Sequence, residues 1–186
     1  VVLMDAKRPY GNGFPLPAGL LREFPGALKR ADLVVLTRAS EGWVDLDLQG
    51  LPIAISRHRF SSQLRALSGG QIRLDELLGK QGAAFSGIAN TEQFFDGLRG
   101  KGLTLKEGIT LPDHVVYTHD VLNKLLTSGE GSDYFITTEK DATKLRADSF
   151  DRPCYVVGLN LEFIEDRNLT NLLKNLCDRI KNGNQR

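Results

Sequence analysis

Short apolar runs alternate with amphipathic segments along this chain. The runs at 1–5 and 31–37 are almost wholly apolar, which predicts strands buried on both faces, as in a parallel sheet. Leucines at helical spacing across 166–181 predict an amphipathic terminal helix with its apolar side on the sheet. A helix is also predicted over 20–30, where Pro25 delays its start or kinks it. Further strands are predicted at 81–88, 104–110, 133–137 and 154–161.

This alternation of strands and helices predicts an α/β fold with a mainly parallel sheet. The segment 53–74 differs, because its residues alternate in polarity and a pair of glycines interrupts it, which predicts an antiparallel ribbon or a strand-containing linker. Residues able to cap a helix precede two of the predicted helices, namely Asn90 or Thr91 for one and Thr118 for the other.

Charge and length restrict the class of protein. The chain has 186 residues, with 24 basic and 23 acidic side chains and a formal net charge of +1. Near-neutrality argues against a dedicated nucleic-acid binder, which usually carries clustered Lys and Arg. The longest apolar stretches are far shorter than the roughly 18 residues that span a bilayer. Cys154 and Cys177 have no metal-ligand spacing and are interpreted as buried, reduced thiols.

The first apolar run ends in an acid, Asp5, as a Walker B strand does. In nucleotide hydrolases and kinases such an acid holds Mg²⁺, although many ordinary buried strands also end in Asp. The chain contains no Gly-x-x-x-x-Gly-Lys-Ser/Thr sequence, which a phosphate-binding loop needs. The residues alone therefore predict neither ATP binding nor a metal site in this chain.

Asp113 and His114 follow a predicted strand, in a turn that Pro112 sets. An imidazole titrates near neutrality and can act as a general base when an acid orients it. The alternative interpretation is an ordinary surface turn. His58 and His119 lack such a context and are interpreted as exposed side chains.

Two more polar groups could hold a ligand. Arg22 and Glu23 follow a Gly/Pro-rich loop, where they could bind a phosphate and sugar hydroxyls, or form an ordinary first-turn pair of a helix. Thr138, Glu139 and Lys140 follow a predicted strand, at the edge where open α/β sheets bind ligands. Alternatively, Thr138 is the N-cap of a helix.

Several sequence blocks, taken in chain order, resemble the tetraacyldisaccharide 4'-kinases, the lipid A 4'-kinases. Each block is short, and together they form a specific pattern. The blocks lie at 5–13, 16–23, 30–32, 84–90 with 94–95, 112–114 with Tyr117, and 137–142. The resemblance implies a P-loop-type kinase, which transfers the γ-phosphoryl group of ATP, with Mg²⁺, to the 4'-hydroxyl of a tetraacyl glucosamine disaccharide 1-phosphate in lipid A biosynthesis.

The resemblance also assigns site residues. His114, with Asp113 beside it, matches the active-site histidine. In the full enzyme this histidine would pair with an aspartate of the preceding region and help to orient or activate the attacking hydroxyl. Arg22 and Glu23 match the motif that faces the disaccharide, and Asn12 lies in the adjoining glycine loop. The residues that match the late family motif are assigned to the nucleotide or the cleft: Thr138, Glu139 and Lys140.

The resemblance implies that this chain is the C-terminal portion of such a kinase. The Walker A loop would precede Val1, so ATP and Mg²⁺ are expected in the complete enzyme, and this chain alone is expected to be inactive. Residues 1–50 would end the kinase core, 51–75 would form a strand-containing linker, and 76–186 would form a smaller α/β domain. The expected partners are a glycolipid and the cytoplasmic face of the bacterial inner membrane, with no nucleic acid.

Two other interpretations stay open. A non-catalytic module that binds a sugar phosphate or a lipid headgroup would use Arg22, Glu23 and His114 without a nucleotide. A Rossmann-like domain with another small-molecule ligand would not bring those three residues together.

Overall fold

The strand runs of the sequence fold into two units. The computed structural model describes residues 1–39, 48 and 50–183. The first unit comprises Val1–Arg59 and Leu161–Arg186, and the second comprises Phe60–Asn160. The chain therefore passes between the units twice, each time within a long strand.

The described residues contain strands, α-helices and short 3-10 helices. The 3-10 helices lie at Pro25–Arg30, Leu74–Leu77 and Ala147–Ser149. The strands and α-helices are, in chain order, β1 (Val2–Asp5), β2 (Val34–Thr37), β3 (Ile53–Ala66), β4 (Gln71–Arg73), β5 (Gln81–Ser86), α1 (Thr91–Gly100), β6 (Thr104–Thr110), α2 (His119–Ser128), β7 (Tyr134–Thr138), α3 (Glu139–Ala142), β8 (Cys154–Glu165) and α4 (Arg167–Gly183).

Parallel pairing joins the strands of the first unit. β1 pairs with β2 in a register that sets Asp5 opposite Thr37. β2 pairs in turn with the start of β3, where Val34 lies opposite Ile53. The carboxyl ends of β1 and β2 therefore meet at one edge, with Asp5 and Thr37 as their last residues.

β2 is buried on both faces, as its apolar run predicts. Leu36 packs with Met4 and Leu28 on one face, and Val35 packs against α4 on the other. β1 differs, because Leu3 is 73% exposed. Since α4 packs on Val35 without covering Leu3, the prediction of two-sided burial is wrong for β1 within the described part of the chain.

The helix predicted over 20–30 is wrong in its first half. A 3-10 helix forms only at Pro25–Arg30, and Phe24 before it is extended, with ψ 150°. Pro25 explains the difference, because its ring disfavours helical geometry in the residue that precedes it. Leu20 and Phe24 stay exposed as a result, and Leu28 is the buried residue of the 3-10 helix.

The apolar side of α4 packs on the sheet only in its first turns. Leu169 and Leu172 pack against Leu33, Val35 and Ala54. The predicted packing is therefore confirmed for the start of α4 and wrong for its later turns. No helix within residues 1–39 and 50–183 is long and apolar enough to cross a membrane. The apolar residues of α4 that stay exposed are Leu173, Leu176 and Ile180.

Contacts assign α4 to the first unit. Asn168 Nδ2 donates a hydrogen bond to the carbonyl oxygen of Ile53 at 2.8 Å, next to the leucine contacts on β2 and β3. The structure thus differs from the predicted division into 1–50, 51–75 and 76–186. β3 begins within the sheet of the first unit, and α4 does not belong with the second unit.

The second unit is a mainly parallel sheet with helices on both faces. β5 pairs in parallel with β6 and with β7, and β7 pairs in parallel with β8. Ala84 of β5 packs with Phe94 and Phe95 of α1, whereas Phe85 packs with Leu125 of α2. β4 pairs antiparallel with the end of β3, which confirms the predicted ribbon. The predicted α/β class with a mainly parallel sheet is confirmed.

Parallel pairing puts the carboxyl ends of β5, β6 and β7 at one edge of the second unit. These strands end at Ser86, Thr110 and Thr138. Leu111 N–H donates to the carbonyl oxygen of Ser86 at 3.0 Å, so the chain that leaves β6 stays against the end of β5. Residues 111–115 and the start of α3 therefore lie where open sheets bind ligands.

The two cysteines have different environments. Cys154 is buried at the start of β8, and burial raises the pKa of its thiol. Cys177 is exposed on α4. The interpretation as buried thiols is therefore confirmed for Cys154 and wrong for Cys177.

Candidate functional site

The His114 turn, defined as residues 112–115, follows the carboxyl end of β6. Val115 N–H donates to the carbonyl oxygen of Pro112 at 3.1 Å and closes the turn. His114 has a left-handed backbone with φ +59°, a conformation that costs an L-residue about 1–2 kcal/mol. Its side chain is 79% exposed. The turn therefore holds an imidazole in solvent at the edge of the sheet. Its backbone is strained, and strained residues are common at functional sites.

Asp113 lies between the imidazole of His114 and the ammonium group of Lys140. Its Oδ1 accepts Lys140 Nζ–H at 2.7 Å and the backbone N–H of His114 at 3.0 Å. Its Oδ2 lies 3.7 Å from His114 Nε2, which is too long for a hydrogen bond but close enough for electrostatic attraction to a protonated imidazole. The hydrogen bond from Lys140 lowers the pKa of Asp113, and the charge of His114 adds to this effect against the cost of desolvation.

This geometry brings together Asp113 and His114 with Lys140, which come from two of the predicted groups. The carboxylate of Asp113 therefore stays ionised beside an exposed imidazole, which is a group able to accept a proton from a bound hydroxyl. Lys140 forms an ion pair with Asp113. It therefore anchors the turn and also adds a positive charge at this edge of the sheet.

Thr138 is the N-cap of α3, as one interpretation of the sequence predicts. Its Oγ1 accepts the N–H of Asp141 at 3.2 Å and donates to Asp141 Oδ2 at 2.8 Å. Glu139 is exposed, and its carboxylate lies beside Gly158 of β8. A Cβ added to Gly158 would be 3.3 Å from Glu139 Oε1. The three predicted residues 138–140 thus have different environments, and only Lys140 contacts the His114 turn.

Asp141 is a further residue of the site, and the sequence predicted no ligand-binding or catalytic role for it. It is fully buried, with its Oδ2 accepting the N–H of Gly87 at 3.0 Å. Its Oδ1 has no hydrogen-bond partner among the described residues. Asp141 and Tyr117 both lie in sequence blocks that carry the family resemblance, but nothing local distinguishes a buried Asp from an ordinary first-turn helix residue.

Glu23 and Arg22 have unequal environments in the first unit. Glu23 forms an exposed ion pair with Arg30 across the 3-10 helix. Arg22 is exposed, and its guanidinium forms no ion pair or hydrogen bond with the residues that the structure describes. Arg22 is therefore the residue of this pair that is available to an anionic ligand, while Glu23 is already paired.

Asn12 braces the loop in which it lies. Its Nδ2 donates to the carbonyl oxygen of Ala18 at 2.9 Å, and its Oδ1 accepts the N–H of Phe14 at 3.3 Å. A Cβ on Gly19 would lie 2.1 Å from Asn12 Oδ1, so only glycine fits there. Both ends of the Asn12 amide are thus used within the loop.

An open cavity of about 480 Å³ lies beside this loop. Its lining combines a cation and an amide with an apolar side chain: Arg8, Asn12, Gly11 and Leu20. A charged or polar headgroup with an apolar attachment suits such a lining. Arg8 lies in the first sequence block of the resemblance, and its position beside the cavity was not predicted.

Asp5, the Walker B-like acid, is already paired. Its Oδ2 lies 3.2 Å from Arg38 Nη2, and its Oδ1 accepts the N–H of Lys7 at 3.0 Å. Residues 1–39 and 50–183 contain no cluster of three or more His, Cys, Asp or Glu that could hold a metal ion. Asp5 is therefore held by contacts within this chain.

Comparison with known proteins relates this chain to one family. The family model for tetraacyldisaccharide-1-P 4'-kinase matches residues 1–178. The tetraacyldisaccharide 4'-kinase of Syntrophotalea carbinolica is 45% identical over 166 residues, which cover 89% of this chain and 46% of that protein. The protein of the same name from Geobacter sulfurreducens is 42% identical over 147 residues, which cover 79% and 42% of the two chains.

The solved structures include a similar fold. The crystal structure of the "apo" form of LpxK from Aquifex aeolicus in complex with ATP superposes with a TM-score of 0.70 at 26% sequence identity. The match covers 93% of this chain and 50% of that chain. The chain thus spans about half the length of the relatives that it matches.

Proposed function

This chain belongs to the tetraacyldisaccharide-1-P 4'-kinase family, and we propose that it forms part of a kinase that phosphorylates the 4'-hydroxyl of a tetraacyl glucosamine disaccharide 1-phosphate. The observation that carries the proposal is the arrangement of Asp113, His114 and Lys140 at the carboxyl edge of the second unit. Phosphoryl transfer needs little covalent chemistry from the protein, so it depends mainly on positioning and on charge.

In the proposed reaction the imidazole of His114 accepts the proton of the 4'-hydroxyl. The hydroxyl oxygen then forms a bond to the γ-phosphorus of ATP while the bond from that phosphorus to the ADP oxygen breaks. The ionised Asp113 stabilises the imidazolium that results, because its Oδ2 lies 3.7 Å from Nε2 of His114.

The first unit, taken by itself, has cations that suit an anionic ligand. Arg22 has an exposed guanidinium, whose planar fork matches the oxygens of a phosphate. Arg8, beside the open cavity, adds a second cation. Asn12 and Glu23 contribute indirectly, since Asn12 holds the loop and Glu23 is paired with Arg30.

We assign ATP to the complete enzyme, of which this chain would be about half. The support is the ATP complex of the Aquifex aeolicus structure, and this chain contains no Walker A sequence. Because Asp5 is paired with Arg38, we derive no catalytic step from a Mg²⁺ ion on this chain. Because it contains no Walker A sequence, we expect the 186-residue chain alone to transfer no phosphate.

We further propose that the complete enzyme acts at the cytoplasmic face of the inner membrane. Its substrate carries four acyl chains, which a membrane would hold, whereas ATP is a cytoplasmic nucleotide. The exposed apolar residues of the first unit, such as Leu20 and Phe24, are compatible with a lipid substrate.

The test is phosphoryl transfer from radiolabelled ATP to the tetraacyl disaccharide 1-phosphate by the full-length gene product that contains this chain. We expect His114→Ala to lower kcat by about 100- to 10,000-fold, and His119→Ala, an exposed histidine of the same unit, to change it by less than about threefold. Full activity of His114→Ala would overturn the assigned role. If the chain binds the glycolipid but the full-length protein transfers no phosphate, the non-catalytic binding module is correct instead.

A further inference from the structure

The segment 138–144 contacts the His114 turn through two lysines. Lys140 Nζ donates to Asp113 Oδ1 at 2.7 Å. Lys144 Nζ donates to the carbonyl oxygen of Val115 at 3.1 Å. The two contacts lie on either side of His114, so they hold both of its neighbours.

A third contact is buried beneath the turn. Asp141 Oδ2 accepts the N–H of Gly87 at 3.0 Å. A Cβ on Gly87 would lie 2.9 Å from the carbonyl oxygen of Pro112 and 2.9 Å from Val115 Cγ1. Gly87 is thus packed between the Asp141 carboxylate and the two ends of the turn, so a shift of Asp141 would be transmitted to the turn.

Tyr117 lies next to the same carboxylate. Its hydroxyl is buried, and burial first and the charge of Asp141 second raise its pKa. Tyr117 therefore stays protonated at neutral pH. Its ring also packs edge-to-face against Phe85, with ring centroids 6.2 Å apart. This contact holds the chain in place just after the turn.

We propose that Lys140, Asp141 and Lys144 are positioning residues, which hold the His114 turn in its left-handed geometry and so direct the imidazole towards the hydroxyl that it deprotonates. The left-handed backbone of His114 is unfavourable by itself. It persists only when surrounding contacts determine it. Lys140 and Lys144 contact the turn directly, and Asp141 acts on it through Gly87. The inference rests on the proposed function for the role of His114, whereas the contacts themselves do not depend on it.

The first arm of the test measures the turn in the 186-residue chain. Lys140→Ala and Lys144→Ala each remove one exposed contact, and Lys80→Ala is the matched control, an exposed lysine of the same unit. In ¹H–¹⁵N spectra we expect the amide signals of residues 113–115 to shift in both variants and to stay in place in the control. Thermal melting checks that each variant is folded.

The second arm measures catalysis in the full-length gene product. We expect Lys140→Ala to lower kcat by about 10- to 100-fold, because a small misplacement of a catalytic group is costly. KM for the glycolipid should change by less than about twofold, since the lysine is paired with Asp113. Lys140→Arg, which restores the cation, should recover most of kcat.

The two arms separate the inference from the proposed function. If the wild-type protein transfers phosphate but Lys140→Ala and Lys144→Ala keep full kcat while folded, the positioning role is wrong. Unchanged amide signals of residues 113–115 in both variants would also overturn it. If the wild-type protein transfers no phosphate, the proposed function is wrong, and the spectra alone decide whether the 138–144 segment holds the turn.

Discussion

Lys140 donates a hydrogen bond to Asp113 at 2.7 Å, although 27 residues separate them in sequence. The contact links the start of α3 to the turn that carries His114. It is possible because β5, β6 and β7 are parallel neighbours whose carboxyl ends share one edge.

Removal of this lysine should change the titration of Asp113. The hydrogen bond from Lys140 is the largest cause of the lowered pKa of Asp113, so we expect Lys140→Ala to raise that pKa towards its ordinary value of 3.8. A carboxyl with a lowered folded pKa stabilises the fold above its unfolded pKa, and this stabilisation is lost as pH falls through the folded pKa. The variant should therefore lose less stability on acidification below about pH 4. Carboxyl ¹³C titration and urea midpoints against pH measure both effects, and Lys80→Ala should leave them unchanged.

The left-handed backbone of His114 predicts opposite responses to two substitutions. His114→Gly should leave the free energy of unfolding unchanged or raise it by up to about 1 kcal/mol, because glycine adopts φ +59° without strain. His114→Val should lower it by about 1–2 kcal/mol, because a β-branched residue is least compatible with that region. Urea denaturation measures the difference. His119→Val at the start of α2 is the control, and equal effects of valine at both positions would contradict the strain.

Asp141 should contribute strongly to stability. Asp141→Ala leaves the buried N–H of Gly87 without its acceptor and breaks the pair with Thr138. We expect a loss of about 2–4 kcal/mol in the free energy of unfolding. Asp148→Ala, which breaks an exposed pair with Arg146, should lower it far less, because exposed ion pairs contribute little. Similar losses for the two variants in chemical denaturation would show that the Asp141 contacts are not stabilising.

Gly19 should tolerate no side chain. A Cβ there would lie 2.1 Å from the carbonyl oxygen of Phe14, which is backbone and must shift as a whole. We expect Gly19→Ala to lower the free energy of unfolding of the loop's unit by about 1–3 kcal/mol. Gly26→Ala is the matched control, since a Cβ there has no heavy atom within 4 Å. Thermal melting of both variants tests the difference, which would be absent if the loop adapts freely.

The two thiols should differ in reactivity. Cys177 is exposed, whereas Cys154 is buried and burial raises the pKa of its thiol. Because the thiolate is the reactive form, an aromatic disulfide reagent should modify Cys177 quickly and Cys154 only after unfolding. Cys177→Ser should abolish the fast phase, and a fast phase that persists in this variant would contradict the burial of Cys154.

The sequence predicted those parts of the fold that depend on neighbours along the chain. The caps at Asn90, Thr118 and Thr138 are confirmed, because a capping side chain reaches a backbone N–H only three residues ahead. The strand β2 and the antiparallel ribbon of β3 and β4 are also confirmed, because apolar runs and alternation of polarity are local patterns. The helix over 20–30 failed because Pro25 acts on Phe24 more strongly than the leucine spacing suggests.

The candidate site was predicted only in part. Residue types and the family blocks made Asp113 and His114 candidates, and Lys140 was assigned to the nucleotide or the cleft. The contact of Lys140 with Asp113, the burial of Asp141 and the pairing of Glu23 with Arg30 were not predictable, since each depends on where another segment lies.

The sequence by itself determined the α/β class, the helix caps, the membership of a kinase family and the residue types available for chemistry. Tertiary structure alone decided that the 138–144 segment lies against the His114 turn, that His114 is left-handed, and that Asp141 is a buried carboxylate. The physical reason is range. Local preferences act over a few residues, whereas burial and pairing arise when strand order brings distant segments together and the packing energy outweighs the local preference of each.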